Sequence, residues 1–69
     1  MDEQTPFSPV IAEHDSVFLV KDIDVEEGHL PAGARGTVVG IYGDGRAFEV
    51  EFFEPLHSVV TLPRQAIHW

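Results

Sequence analysis

The stretch GARGTVVGIYGDGRAFEVEFF, residues 33–53, decides the fold because it has the pattern of a complete β-hairpin. Residues 36–42 are mostly apolar and rich in β-branched side chains, which predicts a first strand with Gly40 at a bulge or bend. Residues 46–53 predict the second strand. The Gly-Asp-Gly of residues 43–45 suits the positive φ angles of a tight hairpin loop.

The second strand of this hairpin shows a strict alternation of apolar and acidic residues. Phe48, Val50 and Phe52 are predicted to point to one face of the sheet, and Glu49 and Glu51 to the other. A slip of one residue would place two carboxylates in the core, so the register of this strand is strongly specified.

Shorter strands flank the hairpin on both sides. Residues 16–20 (SVFLV) and 58–62 (SVVTL) predict strands, and residues 63–67 predict one turn followed by a closing strand stub. Residues 21–34 (KDIDVEEGHLPAGA) are predicted to form a long acidic loop. Four to five short strands with tight turns favour an all-β, SH3-like barrel, and closure would hide the sheet edges.

The chain has 69 residues and no cysteine, so it predicts a single domain without disulfides or thiolate metal sites. Residues 1–14, with Pro6 and Pro9, predict a flexible and partly docked N-terminal arm, and residues 15–69 predict the barrel domain. A core of this size rarely supplies more than about 3–5 kcal/mol, so self-association is a reasonable expectation.

Charge is distributed unevenly along the chain. Twelve Asp and Glu oppose four Lys and Arg, giving a net charge of −8, and most of the acids lie in residues 1–27. A surface of this charge repels phosphate backbones, so nucleic acid is not expected as a partner. It would attract a basic protein. The alternative is that the charge serves solubility alone. The acidic N-terminus and the lack of a run of about 18 apolar residues predict a cytoplasmic protein without a membrane span.

Three segments resemble a known family of small bacterial proteins. The segments DSVFLVKD (15–22), LPAGARGTVV (30–39) and FEVEF (48–52) resemble domain of unknown function 4926, in a likeness that spans residues 15–67. This resemblance implies a compact SH3-like β fold and no catalytic residue. Residues 33–39 are also similar to the start of the hairpin in KOW domains, which often contact RNA or ribosomal proteins. Together with residues 49–53, they are similar to the SH3-like part of nitrile hydratase β subunits.

The side chains that could carry chemistry do not form a known motif. The acids of DIDVE, residues 22–26, suggest calcium, but an EF-hand loop would need Gly at residue 27 and Glu at residue 33, where the chain has Glu27 and Gly33. The four histidines are far apart, and no serine lies in a Gly-x-Ser-x-Gly motif. The sequence therefore predicts no enzyme activity, catalytic residue, bound metal, cofactor or small-molecule substrate.

The residues best suited to a partner are exposed acids and aromatic side chains. Phe53 is the last residue of the predicted strand 46–53 and breaks its alternation of apolar and acidic residues. Trp69 is the last residue of the sequence. Either these aromatic side chains are exposed anchors of an interface, or their role is structural. In the second case Phe53 would sit at a bulge and Trp69 would cover an open end of the barrel. The predicted partner-binding set is Asp22, Asp24, Glu26, Glu27, Glu49, Glu51, Phe53, Leu56 and Trp69.

These observations favour a non-catalytic protein-binding module that recognises a second copy of itself or a basic protein, as an antitoxin or immunity protein does. A homodimer could form by exchange of strand 16–20, with residues 21–34 as the hinge. The alternatives are a KOW-like RNA- or ribosome-associated domain, and an accessory subunit of an enzyme.

Overall fold

Within residues 11–69 the protein is all-β, with seven strands in two sheets. In the computed structural model, residues 11–69 are described, and residues 1–10 of the predicted arm lie outside them. The strands are β1 (Ser16–Leu19), β2 (Ile23–Val25), β3 (Gly28–Leu30), β4 (Arg35–Tyr42), β5 (Ala47–Phe52), β6 (Ser58–Pro63) and β7 (Ile67–His68). A 3-10 turn, Arg64–Ala66, joins β6 to β7. Residues 11–69 contain no other helical segment, so no helix among them is long enough to cross a membrane.

The larger sheet has the strand order β6-β5-β4-β1-β7, and all its neighbouring strands are antiparallel. Within residues 11–69 no ladder joins the two edge strands, β6 and β7, so the sheet is open. The predicted all-β class is confirmed, and residues 11–69 contain seven strands where four or five were predicted.

The hairpin of β4 and β5 has the predicted alternation. Phe48, Val50 and Phe52 are buried, whereas Glu49 and Glu51 on the opposite face are partly exposed. Residues 43–45 all have positive φ, as predicted. The loop is one residue longer than predicted because Tyr42 pairs with Ala47, which leaves residue 46 in the loop.

A bulge in β4 bends the sheet close to the predicted position. Val38 pairs with Val50 and Gly40 with Glu49, so Val39 is the extra residue. The bulge brings Val38 and Ile41, three residues apart, opposite two buried residues of β5. A bend of this kind lets one continuous strand border two parts of a small core.

The core lies against one face of the larger sheet. It comprises Ile11, Val17, Leu19, Leu30, Val38, Phe48, Val50, Phe52, Leu62 and Ile67. Ile11 belongs to the segment predicted as an arm, and the amide of His14 donates to the carbonyl oxygen of Val38 at 2.7 Å. The packed part of the chain therefore reaches back at least to residue 11.

The prediction of a loop over residues 21–34 was wrong. This segment contains β2 and β3, which form a two-stranded sheet with Val25 paired to Gly28 across the turn of Glu26 and Glu27. The physical reason is an alternation within the acidic run, in which Ile23 and Val25 pack against the core while Asp24 between them is exposed.

Candidate protein-binding surface

The tip of the β2–β3 hairpin packs against the loop between β5 and β6. The hydroxyl of Ser58, which is 3% exposed, donates to Glu27 Oε1 at 2.8 Å. A Cβ added at Gly28 would lie 2.8 Å from Leu56 Cδ2, so only glycine allows this close approach. These two contacts place acids 26 and 27 beside the β5–β6 loop.

Phe53 is the large exposed side chain of this loop. It is 60% exposed, and its ring stacks on His57 with a centroid distance of 5.3 Å. His57 Nε2 is in turn 2.8 Å from Glu51 Oε2. Leu56 is only partly exposed and packs against the core, so it supports the surface rather than standing out from it. We call Glu26, Glu27, Glu51, Phe53 and Leu56 the acidic–aromatic patch.

A small cavity adjoins Phe53 on the side of β4. It has a volume of about 280 Å³ and is lined by Arg35, Thr37, Phe53 and Glu54. The cavity could accept one side chain of a partner next to the exposed ring.

Asp22 and Asp24 are engaged within their own hairpin. His29 lies between them, with Nδ1 2.8 Å from Asp24 Oδ1 and Nε2 3.1 Å from Asp22 Oδ2. The other oxygen of Asp22 accepts a hydrogen bond from the amide of Ala32 at 2.7 Å. An imidazole donates from both nitrogens only when it is protonated, so this arrangement favours the imidazolium.

These contacts shift two pKa values in opposite directions. The hydrogen bond to Asp24, followed by that to Asp22, raises the pKa of His29 above its ordinary 6.5. The amide of Ala32, followed by His29, lowers the pKa of Asp22 below its ordinary 3.8.

The hairpin is therefore expected to be most stable between about pH 4 and 6.5. The contribution of His29 to the stability of the hairpin is complete below the pKa of the unfolded state. It is lost as pH rises through the higher pKa of the folded state. The contribution of Asp22 to this stability is complete above the pKa of the unfolded state and is lost as pH falls through the lower pKa of the folded state. Amide exchange of β2 and β3, corrected for intrinsic rates, would measure the protection across this range.

The matched variant for this titration is His29→Gln, which keeps a polar side chain but does not ionise. It should remove the loss of hairpin protection that wild type shows as pH rises above about 6.5. An unchanged pH profile in the variant would contradict the assignment to His29.

The same hairpin does not form a convergent metal site. Within residues 11–69 no group of three or more His, Asp or Glu is placed to hold a metal ion. Asp22 and Asp24 approach different nitrogens of His29, so their oxygens and the ring do not converge on one point.

Glu49 lies outside the patch, towards the other end of β5. The hydroxyl of Tyr42 donates to Glu49 Oε1 at 2.7 Å. This hydrogen bond raises the pKa of Tyr42, because ionisation would place a second negative charge beside the carboxylate.

Trp69 is also separated from Phe53. Its ring lies 5.0 Å from Arg64 Cζ, at the end of the sheet where Ala47 pairs with Pro63. Phe53 follows the opposite end of the same ladder, where Phe52 pairs with Ser58. The structure thus brings together five of the nine predicted partner-binding residues and places Asp22, Asp24, Glu49 and Trp69 elsewhere.

The predicted partner-binding set omits four residues that the structure places on these surfaces. His29 and His57 each bind carboxylates, and Arg46 and Arg64 line a groove beside Trp69. For His29 a signal was present, since alternation on both sides of the turn places it opposite Asp24 in a hairpin.

The comparison with known proteins identifies the family. No curated protein and no solved structure matches the chain. The family model described as "Domain of unknown function (DUF4926)" matches residues 13–67, which is most of the chain and contains every strand except the last residue of β7. The chain therefore belongs to the DUF4926 family.

Proposed function

We propose that this protein is a non-catalytic binding module that recognises a basic protein through the acidic–aromatic patch. The observation that carries the proposal is the junction of the β2–β3 hairpin with the β5–β6 loop. The Glu27–Ser58 hydrogen bond and the close approach of Gly28 to Leu56 hold the acidic turn of residues 26 and 27 against the β5–β6 loop, and this loop carries the exposed ring of Phe53.

The patch combines the two features that a basic partner would recognise. The side chain of Glu26 is exposed, and the chain carries a net charge of −8, so a basic surface is attracted over a distance. Phe53 supplies an apolar anchor, and the adjoining cavity of about 280 Å³ can receive a partner side chain. Aromatic anchors surrounded by charged residues are typical of the residues that dominate interface energies.

Support for a non-catalytic role comes from the packing of the domain. Ten side chains fill the core, including Phe48 and Phe52, so the interior is occupied by the protein itself. The finer fold assignment, an SH3-like barrel, is part of the proposal. The bulged β4, which borders β1 and β5, and the short β7 after a 3-10 turn support a strongly bent sheet of this kind.

The alternative functions are less well supported than recognition of a basic protein. In a homodimer, strand 16–20 would be exchanged between copies about residues 21–34. An RNA- or ribosome-associated role is disfavoured by twelve acids against four Lys and Arg. A role as an enzyme's accessory subunit would use the same patch. An antitoxin or immunity protein for a basic toxin, acting in the cytoplasm, is the biological role that the proposal favours.

The test is purification of the tagged full-length chain from its native host, followed by cross-linking and mass spectrometry of what it retains. We expect a basic protein cross-linked near residue 53, and we expect Phe53→Ala and Glu26→Lys each to abolish its retention. Their matched controls are Val20→Ala and Glu13→Lys, which alter an exposed apolar and an exposed acidic residue outside the patch. Light scattering would report a homodimer.

Two results would count against the proposal. One is a monodisperse monomer that retains no protein. The other is a partner that binds the patch variants as well as it binds the controls.

A further inference from the structure

A groove of about 620 Å³ opens at the end of the larger sheet that is remote from the acidic–aromatic patch. Its walls include Arg46 from the β4–β5 loop, Arg64 from the 3-10 turn, and Ile67 and Trp69 from the end of the chain. Asp44 lies at the rim of the loop. Ligand sites in proteins typically have volumes of about 300–1,000 Å³.

The fold brings the two arginines together from distant parts of the sequence. The amide of Arg64 donates to the carbonyl oxygen of Arg46 at 2.9 Å, which joins the turn to the β4–β5 loop. The loop itself is closed by the amides of residues 45 and 46, both 3.1 Å from the carbonyl oxygen of Tyr42. The guanidinium of Arg64 lies 5.0 Å from the centre of the Trp69 ring, so the ring helps to position it.

The charge of this groove is opposite to that of the whole protein. Among residues 11–69, two of the four Lys and Arg line it, but only one of the ten Asp and Glu does. The ion pairs within residues 11–69 involve His29 and His57, and neither Arg46 nor Arg64 takes part in them. Within these residues both guanidiniums are therefore available to donate to an incoming carboxylate.

We propose that this groove binds an acidic peptide segment. Arg46 and Arg64 would hold one carboxylate, since guanidinium and carboxylate groups form paired, charge-assisted hydrogen bonds. A neighbouring apolar side chain of the segment would lie over Trp69, which is 46% exposed, and beside Ile67.

A nucleic acid is a less suitable occupant, although a tryptophan and two arginines could stack a base and contact a phosphate. Affinity for a strand requires several phosphate contacts, and a net charge of −8 repels the rest of the polyanion. A peptide with one or two carboxylates carries less negative charge than a nucleic-acid strand, so the acidic residues of the protein repel it less.

The groove and the patch share no residue, so the protein would have two separate binding surfaces of opposite charge. This inference therefore does not rest on the proposed function. Variants of Phe53 and of Arg64 separate the two, because each should impair one surface and leave the other intact.

Trp69 provides a direct reporter, because it is the only tryptophan in the chain. Its fluorescence would be followed while the full-length protein is titrated with a short, capped peptide of alternating leucine and glutamate. The matched peptide with lysine in place of glutamate, and a single-stranded oligouridylate, are titrated in parallel. We expect a saturable change in emission with the glutamate peptide alone.

The variants Arg46→Gln and Arg64→Gln should each weaken this binding about tenfold or more, because each removes a charged donor. Lys21→Gln is the matched control, since Lys21 is an exposed basic residue outside both the groove and the acidic–aromatic patch. It should bind the glutamate peptide like wild type. Far-UV circular dichroism should show the same fold in all three variants.

The proposal is overturned if the glutamate peptide leaves the emission unchanged, or if the lysine peptide binds equally well. Equal weakening by Lys21→Gln would show a general charge effect instead of a site. Tighter binding of the oligouridylate would identify the groove as a nucleic-acid surface, and emission that changes with protein concentration alone would identify a second copy as the occupant.

Discussion

Phe52→Ala is expected to leave a large part of the protein unfolded at 25 °C. Phe52 is 0% exposed and is paired with Gly36 on one side and Ser58 on the other. Removing a buried phenylalanine ring typically costs about 3–5 kcal/mol, because apolar contacts are lost and a cavity remains. A domain of this size rarely has more than about 3–5 kcal/mol to lose. Urea unfolding followed by circular dichroism would measure the change.

The next residue supplies a matched control. Phe53→Ala removes the same ring from a side chain that is 60% exposed, so the unfolding free energy should change by less than about 1 kcal/mol. Comparable losses in the two variants would contradict the register of β5, in which residue 52 faces the core and residue 53 faces solvent.

Gly36→Ala is expected to destabilise the domain by about 1–3 kcal/mol although it adds a single methyl group. An added Cβ would lie 2.4 Å from Val50 Cγ1 and 2.9 Å from Phe52 Cε2, and both side chains are fully buried. Neither neighbour can move away without disturbing the core, because protein interiors are close-packed. The midpoint of urea unfolding would fall accordingly.

Gly40→Ala tests the same change in the same strand, next to the bulge. There the nearest side-chain atom is Glu49 Cβ at 3.2 Å, and Glu49 is partly exposed and can shift towards solvent. The loss should be clearly smaller than at residue 36. An equal loss at both positions would indicate a general cost of alanine in β4 instead of a clash with the core.

Much of the larger sheet could be predicted because its signals are local. Alternation in Phe48–Phe52 indicates both the strand and its buried face, and the glycines of the β4–β5 loop indicate its positive φ angles. The hairpin of residues 23–30 was missed for a reason of the same kind. Its apolar residues, such as Ile23 and Val25, are few and stand among carboxylates, so composition suggested a solvated loop where alternation indicated strands.

The candidate surfaces could be predicted only in part, because they depend on contacts between distant residues. The side chains of Phe53 and Glu26 were recognised individually, but the contacts of Gly28 with Leu56 and of Glu27 with Ser58, which bring their two loops together, were not. The meeting of Arg46 with Arg64 likewise depends on how β6 pairs with β5. Such contacts have no periodic signature in a single sequence.

The β2–β3 hairpin is a separate sheet, which gives the acidic–aromatic patch a dynamic property. Two-stranded hairpins are marginally stable alone, so this one can unfold locally, without global unfolding, when its side-chain contacts to the rest of the domain break. Such an opening would carry Glu26 away from Phe53. A ligand that requires both residues then selects the closed population, and its apparent dissociation constant rises in inverse proportion to the fraction of molecules that are closed.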